Sequence, residues 1–324
     1  MKKSLVTLFL LLMLVVCFAF SKQKKTSIQY SFSGEPKTKA QLGEVLFFDK
    51  ILSSDSTKSC ASCHIPEYGF ADTVAFSKGV MNRTGGRNAP SCANIADRPY
   101  LFYDGRAATL EEQVKFPIEN EVEMNLPLPK AVKRLQQNKE YIAWFKSVFK
   151  EEPNENNLKS AIASYERTLE TSKTTYDRYM ANDDSILMGE SALRGRTLFL
   201  EKARCFECHF TPDFTGDEFR NVGLFDGGKL NDSGRYLISK NKADIGKFKV
   251  PGLRNVAVTA PYMHNGMFKT LKEVIEYYND PRKVVPHPIN TDSVLTAPLN
   301  LSTQDKIDLE AFLNTLTDDR FKNR

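Results

Sequence analysis

The sequence predicts a mostly α-helical protein built as two versions of one unit. Three observations carry that expectation. Apolar residues recur at helical spacing in most patterned segments, no strand alternation or hairpin series stands out, and one short arrangement occurs twice. Gly43-Glu44-Val45-Leu46-Phe47 precedes Cys60-Ala61-Ser62-Cys63-His64, and Gly195-Arg196-Thr197-Leu198-Phe199 precedes Cys205-Phe206-Glu207-Cys208-His209.

Residues 1–21 stand apart from the fold. Lys2 and Lys3 form a basic start, residues 5–20 are an almost unbroken apolar run, and Ala19-Phe20-Ser21 offers small residues where a signal peptidase reads. The pattern predicts a signal peptide cleaved after Ser21 and an exported, periplasmic protein. An uncleaved anchor is the alternative, although the stretch is short for a span. Cys17 is a candidate lipidation site, with Val16 before it bulkier than a lipoprotein signal prefers. Residues 22–39, charged and rich in Ser and Lys, read as a flexible lead-in.

Beyond the lead-in, helices are expected at 39–50, 110–116, 130–150, 157–169, 191–203, 271–278 and 303–316. In the third, Val132, Leu135, Ile142, Phe145, Val148 and Phe149 fall close to helical spacing. Residues 151–157 read as a loop and 179–190 as a domain boundary. That gives an N-terminal domain at 40–182 and a C-terminal one at 183–324.

The 324 residues are 41% hydrophobic and 26% charged, an ordinary globular composition with room for about two domains. A net charge of +5, falling to +3 once Lys2 and Lys3 leave with the leader, is too small to argue for nucleic acid. Six cysteines are too few for a disulfide scaffold, and there are only four histidines.

Four of the cysteines and two of the histidines lie in the repeated Cys-x-x-Cys-His, the attachment signal of c-type haem. Two thiols add to the two vinyl groups of one porphyrin, and the adjacent imidazole is then held under the iron. Structural zinc would want two further ligands per site, and the remaining cysteines, Cys17 and Cys92, do not supply them. A redox dithiol would need neither the following His nor a second copy. The reading is therefore two covalent haem c groups, with His64 and His209 as proximal ligands.

The opposite face of each haem decides between electron transfer and chemistry. After His64 no His occurs until His209, and Met81, Met124 and Met180 sit in no setting that calls for an iron. The segment after the second motif holds Tyr262, Met263, His264, Met267, Tyr277 and Tyr278. On residues alone the first haem is the open site and the second the closed one.

Further segments sharpen this. Arg87-Asn88-Ala89-Pro90, Phe102-Tyr103-Asp104-Gly105-Arg106-Ala107, Glu123-Met124 and Thr259-Ala260-Pro261-Tyr262-Met263-His264-Asn265-Gly266 resemble the signature segments of the bacterial dihaem cytochrome c peroxidases, a family that includes the methylamine-utilisation dihaem enzyme. The likeness runs from about residue 40 to 317. It implies two cytochrome c-like helical domains, each with one covalent haem, the peroxidatic one N-terminal and the electron-entry one C-terminal. It further implies Gln113 and Glu123 as the distal Gln and the acid/base Glu. Asn88, Thr259 and Pro261 would hold a calcium ion, the last two through carbonyls.

This sequence departs from the family pattern in three places. The peroxidase branch has a distal His in the loop after the first motif, and residues 65–87 contain none. The position usually occupied by the distal Met of the second haem is Tyr278, which as tyrosinate would lower that haem's potential. Met263 is the alternative sixth ligand, and Tyr277 a weaker one. The inter-haem Trp is replaced by Tyr103, through which electrons entering at the His209 haem would pass.

The function implied is a cytochrome c peroxidase that reduces hydrogen peroxide with electrons from a small cytochrome c or cupredoxin. Glu123, helped by Gln113, would shift the peroxide proton so that water leaves. The alternatives are an oxidase of the methylamine-utilisation type acting on a partner protein, and a dihaem electron carrier with no enzymatic role. Homodimers are usual in the family. Blander roles are expected elsewhere: Trp144 in the core, His287 in a surface loop, Cys92 as a small buried hydrophobe, and Lys130, Lys133, Arg134 and Lys139 on a solvated helix face. His264 is a candidate for ligation or haem contact, because its loop matches the family.

Overall fold

The computed structural model describes residues 34–182 and 187–322, all within one compact unit. The expected signal peptide, Cys17 and most of the lead-in lie outside the described residues, as do residues 183–186 at the expected domain boundary. Among the described residues no helix is long and apolar enough to cross a membrane.

The first half opens with α1 (Lys39–Phe48), started by a reciprocal cap in which the Thr38 hydroxyl accepts from the Gln41 amide and the Gln41 side chain accepts from the Thr38 amide. After a long loop region come α2 (Leu110–Glu119), α3 (Leu128–Gln136), α4 (Lys139–Phe149) and α5 (Glu155–Glu166). The second half holds α6 (Thr175–Asn182), α7 (Glu190–Leu200), the short α8 (Tyr236–Ser239), α9 (Leu271–Asn279) and α10 (Thr303–Asn314). Each half has its own apolar core. One gathers Leu42, Leu46, Phe145, Leu158 and Ile162, and the other Phe199, Phe214, Leu309, Phe312 and Leu316.

Two expectations need correction. Residues 130–150 do not form one helix, because Asn138 turns its side chain back to accept from the Glu140 and Tyr141 amides and starts α4 afresh. Residues 179–182 of the segment read as a boundary are the end of α6, which Thr174 and Asp177 cap reciprocally: Asp177 N donates to Thr174 Oγ1 and Thr174 N to Asp177 Oδ2. Finally, Arg134 does not belong to a solvated face, since its guanidinium donates to the carbonyls of Ile51, Ser53 and Ser54. A minimal antiparallel pair, β1 (Phe219–Arg220) and β2 (Phe248–Lys249), also went unanticipated, being too short for any alternation to show.

The repeated glycine has a steric cause. A Cβ on Gly43 would lie 1.9 Å from the Ala161 carbonyl oxygen of α5, and one on Gly195 would lie 1.8 Å from the Asp308 carbonyl oxygen of α10. In each half, therefore, the helix that precedes the cysteine motif crosses the half's last helix in backbone contact. One turn further on, Phe47 packs on Tyr165 and Phe199 on Phe312, with ring centroids 5.1 Å apart in both cases. Gly195→Ala is expected to force the α7–α10 crossing apart and to cost about 1–3 kcal/mol or more. Urea unfolding of the holoprotein, with the midpoint falling at constant slope, checks it.

Candidate functional site: two matched haem-attachment sites

The two cysteine motifs fold alike. Cys60–Ser62 and Cys205–Glu207 each form one turn of 3-10 helix, with His64 N donating to the Cys60 carbonyl at 2.9 Å and His209 N to the Cys205 carbonyl at 3.0 Å. All four thiols are unpaired, and among the described residues no three His, Cys, Asp or Glu gather into a metal cluster around them. Burial raises the Cys205 thiol to about 12 and the Cys208 thiol to about 11, so both are thiols at neutral pH.

Each histidine is aimed by a residue in left-handed conformation. His64 Nδ1 lies 3.1 Å from the Phe70 carbonyl and His209 Nδ1 lies 2.8 Å from the Phe214 carbonyl, with φ of 60° at Phe70 and 57° at Phe214. A carbonyl only accepts, so Nδ1 carries the proton and Nε2 keeps its lone pair, the tautomer a metal-binding imidazole requires. The Pro90 and Pro251 carbonyls also face these rings. Both imidazoles lie deep in the protein yet retain accessible surface, which faces internal space.

The correspondence extends to a second repeat that the sequence reading missed. Pro90 is followed by Asn94 and Pro251 by Asn255, both asparagines at positive φ. They meet at Thr171, where Asn255 Nδ2 donates to Thr171 Oγ1 at 3.0 Å and Thr171 Oγ1 donates to Asn94 Oδ1. Pro-x-x-x-Asn is the signal that could have revealed it.

On α2, the Oε1 of Gln113 is buried with no hydrogen-bond partner. Glu123 accepts from Asn120 Nδ2 through Oε1 at 2.6 Å. Burial raises its pKa, opposed by that hydrogen bond and by the Arg106 charge. Its own charge is felt by the thiols of Cys60 and Cys63, which puts it beside the first motif. The His-free loop is locked onto it: Val80 N donates to the Glu123 carbonyl at 2.8 Å, and a Cβ on Gly79 would lie 2.4 Å from that same oxygen. Of the methionines considered, Met81 and Met180 are exposed and Met124 is packed in the first core.

Around the second motif, one cavity is lined by Cys205, Cys208, His209, Tyr278, Met263 and His264. Three nearby tyrosines differ in what their hydroxyls do. Tyr277 donates to the Val222 carbonyl at 2.6 Å and Tyr262 to the Val256 carbonyl at 2.8 Å, while the Tyr278 hydroxyl makes no hydrogen bond among the described residues. Burial, with the neighbouring Tyr277, Cys208 and Cys205, pushes the Tyr278 phenol up. An unpartnered phenol beside the second motif suits a bound group that supplies the missing contact.

The cavity reaches the seam between the halves, where it meets Tyr103, Asn88, Thr259 and Pro261. Tyr103 stands edge-on to Phe248 with centroids 6.5 Å apart, and Phe248 stacks on His264 at 3.8 Å. Burial lowers the His264 pKa to about 4, so the ring is neutral at neutral pH. Asn88 Nδ2 donates to the Val74 carbonyl at 3.0 Å. Its Oδ1 and the Thr259 and Pro261 carbonyls accept nothing among the described residues. Arg87 ties the seam together by pairing with Asp104 and Asp232, both at 2.7 Å. Elsewhere His287 is exposed in a loop, Trp144 packs on Tyr141 in the first core, and Cys92 is buried.

Helical halves that each present a Cys-x-x-Cys-His turn with an oriented imidazole define a two-haem, c-type oxidoreductase. The family model of the di-haem cytochrome c peroxidases matches residues 37–185. Cytochrome-c peroxidase IdrP1 of Pseudomonas sp. (strain SCT) is 35% identical over 310 residues, covering 86% of this chain and 80% of that protein. Methylamine utilization protein MauG of Methylorubrum extorquens is 35% identical over 280 residues, covering 86% and 78%. Among solved structures, a MauG-like protein associated with microbial copper homeostasis superposes with a TM-score of 0.81 at 32% identity, covering 89% of this chain and 93% of that one. The diheme peroxidase BthA of Burkholderia thailandensis E264 gives 0.76 at 26% identity, covering 90% and 88%. The chain belongs to the di-haem cytochrome c peroxidase family, and it is a peroxidase-type oxidoreductase.

Glu166 was missed by the sequence reading. It lies on the buried face of α5, four residues after Ile162, and its Oε2 has no partner. It lies close enough to the Cys60 thiol for its ionised form to raise that thiol's pKa, and burial raises its own pKa to about 8. A carboxyl whose folded pKa exceeds its unfolded value contributes fully below the unfolded value and loses that contribution as pH rises. Here the window runs from about 4.5 to 8, and the fold weakens by about 1.36 kcal/mol for each pH step of one crossed within it. Glu166→Gln is expected to flatten the stability profile across that window and to raise stability at pH 8. Thermal melts of the holoprotein from pH 5 to 8.5 check it.

Proposed function

We propose that the protein reduces hydrogen peroxide to water at the His64 site, with electrons delivered through the His209 site by a small periplasmic cytochrome c or cupredoxin. In this reading the two halves are cytochrome c-like units, each carrying one covalent haem c, and residues 1–21 export the chain. The observation that carries it is Glu123, a buried carboxyl beside Cys60 and Cys63 with one of its oxygens taken by Asn120.

When bound, haem supplies a metal centre that polarises peroxide and takes and gives single electrons. The chain's own residues handle the protons. Asn120 occupies Glu123 Oε1, which leaves Oε2 to accept the proton of the nearer peroxide oxygen and return it to the farther one, so that water leaves. Gln113 Oε1, which has no other partner, accepts a hydrogen bond from the peroxide. Electrons enter at His209 and pass Tyr103, a buried phenol whose raised pKa keeps it protonated. Asn88 Oδ1 with the Thr259 and Pro261 carbonyls forms a hard-oxygen site for calcium. Glu123→Gln is expected to lower kcat/KM for peroxide by about 10²–10⁴-fold with two haems retained. Stopped-flow turnover with reduced cytochrome and a haem count check it.

The free Tyr278 hydroxyl favours a second reading, in which oxidising equivalents are used on a partner protein. Tyr278 as sixth ligand lowers the potential of the second haem and favours its higher oxidation states. Tyr278→Phe is then expected to turn the second haem from low-spin to high-spin in the EPR spectrum. An unchanged spectrum would move the ligand to Met263. Turnover with reduced cytochrome supports the first reading, and turnover only with a protein substrate supports the second.

A further inference from the structure

We infer that the Lys249 ammonium is the internal counter-charge for a carboxylate of the haem bound at Cys205, Cys208 and His209, held where Tyr103 meets the second half. The inference rests on the proposed haem sites.

Lys249 is pinned at both edges of its backbone. It pairs with Phe219 across the two-stranded ladder, and its amide donates to the Tyr103 carbonyl at 2.7 Å. Its side chain lines the same cavity as the second motif.

The other cations of that lining are already satisfied. Arg98 pairs with Asp213 and Asp217, Arg220 with Glu218 and Asp292, Arg254 with Asp177 and Asp213, and Arg204 with Glu207. The Lys249 ammonium makes no hydrogen bond or ion pair among the described residues. Asp217, whose charge it feels, is held by Arg98 through Oδ2 at 2.8 Å, while its Oδ1 has no hydrogen-bond partner.

A buried, unpaired ammonium is costly, and here burial lowers its pKa to about 8, with Asp217 opposing the shift and Arg98 adding to it. Haem carries two propionate carboxylates, whereas the lining's own carboxylates, Asp213 and Asp292, are taken up by Arg98, Arg254 and Arg220. Pairing with one keeps Lys249 charged, and a positive charge beside the porphyrin favours the reduced state. A structural lysine paired only with Asp217 would have no such effect.

The test uses the holoprotein with Lys249→Met and Lys249→Arg, titrated by spectroelectrochemistry with the two haems resolved, alongside a pyridine haemochrome count and a thermal melt. In Lys249→Met the second haem's midpoint is expected to fall by about 59 mV, a tenfold change in its one-electron oxidised-to-reduced ratio. The first haem should stay where it is, and Lys249→Arg should restore the wild-type value. An unchanged midpoint in Lys249→Met with two haems present overturns the inference, as does a lowered Tm without a redox shift, which would assign Lys249 to Asp217. Loss of the second haem's low-spin signal would make Lys249 an iron ligand and overturn it too. Fewer than two haems in the wild type would instead defeat the haem reading itself.

Discussion

Where α1 passes α5 and α7 passes α10, the chain brings backbone against backbone, and no Cβ fits at Gly43 or Gly195. That approach sets the positions that follow it. One turn along α1 and α7, Phe47 and Phe199 are buried and meet Tyr165 and Phe312 from the helix each crosses. The same aromatic clusters take in Phe70 and Phe214, with centroids 6.4 Å and 5.9 Å from Phe47 and Phe199. Those two residues hold left-handed backbones and offer the carbonyls that orient His64 and His209. Helix crossing, aromatic packing and imidazole tautomer are thus one chain of causes, present twice.

The two copies are joined through polar groups. Thr171 links Asn94 to Asn255, and Arg98 reaches Asp213 and Asp217 in the second half. Arg87 reaches across to Asp232 while Asp104 also takes Arg106. These pairs are largely buried, and removing one partner leaves a charge without compensation, a change that typically costs about 3–5 kcal/mol. Such a seam specifies one relative placement of Tyr103, Phe248 and His264, which stand along it.

Local patterns in the sequence carried the helices and both motifs. Residues 110–116 and 303–316 show the periodicity of α2 and α10, and the repeated Gly-x-x-Leu-Phe and Cys-x-x-Cys-His need no tertiary context to be seen. The break before α4 depended on a cap from Asn138 that apolar spacing does not register. Arg134, Glu166 and Lys249 look like ordinary surface charges in sequence, because their surroundings come from distant segments. Arg134 is claimed by carbonyls some eighty residues upstream, and Lys249 by a strand pair two residues long. For Glu166 alone a local cue existed, since it continues the stripe of Leu158, Ala161, Ile162 and Tyr165.

Two carboxyls flank the first motif, and their surroundings separate their behaviour. Glu166 sits among apolar groups with Oε2 unpartnered, and Arg167, the nearest cation, is engaged by Glu111 at 2.8 Å. Glu123 is buried as well, but Asn120 bonds one of its oxygens and the Arg106 charge offsets part of the desolvation. Environments that push two acids apart are a recurring way to divide proton-holding from proton-transfer work. Glu166 stays protonated through neutral pH and adds no negative charge beside Cys60. In the proposed reaction Glu123, pulled in both directions and fixed by the Val80 loop, is the carboxyl that changes its protonation state.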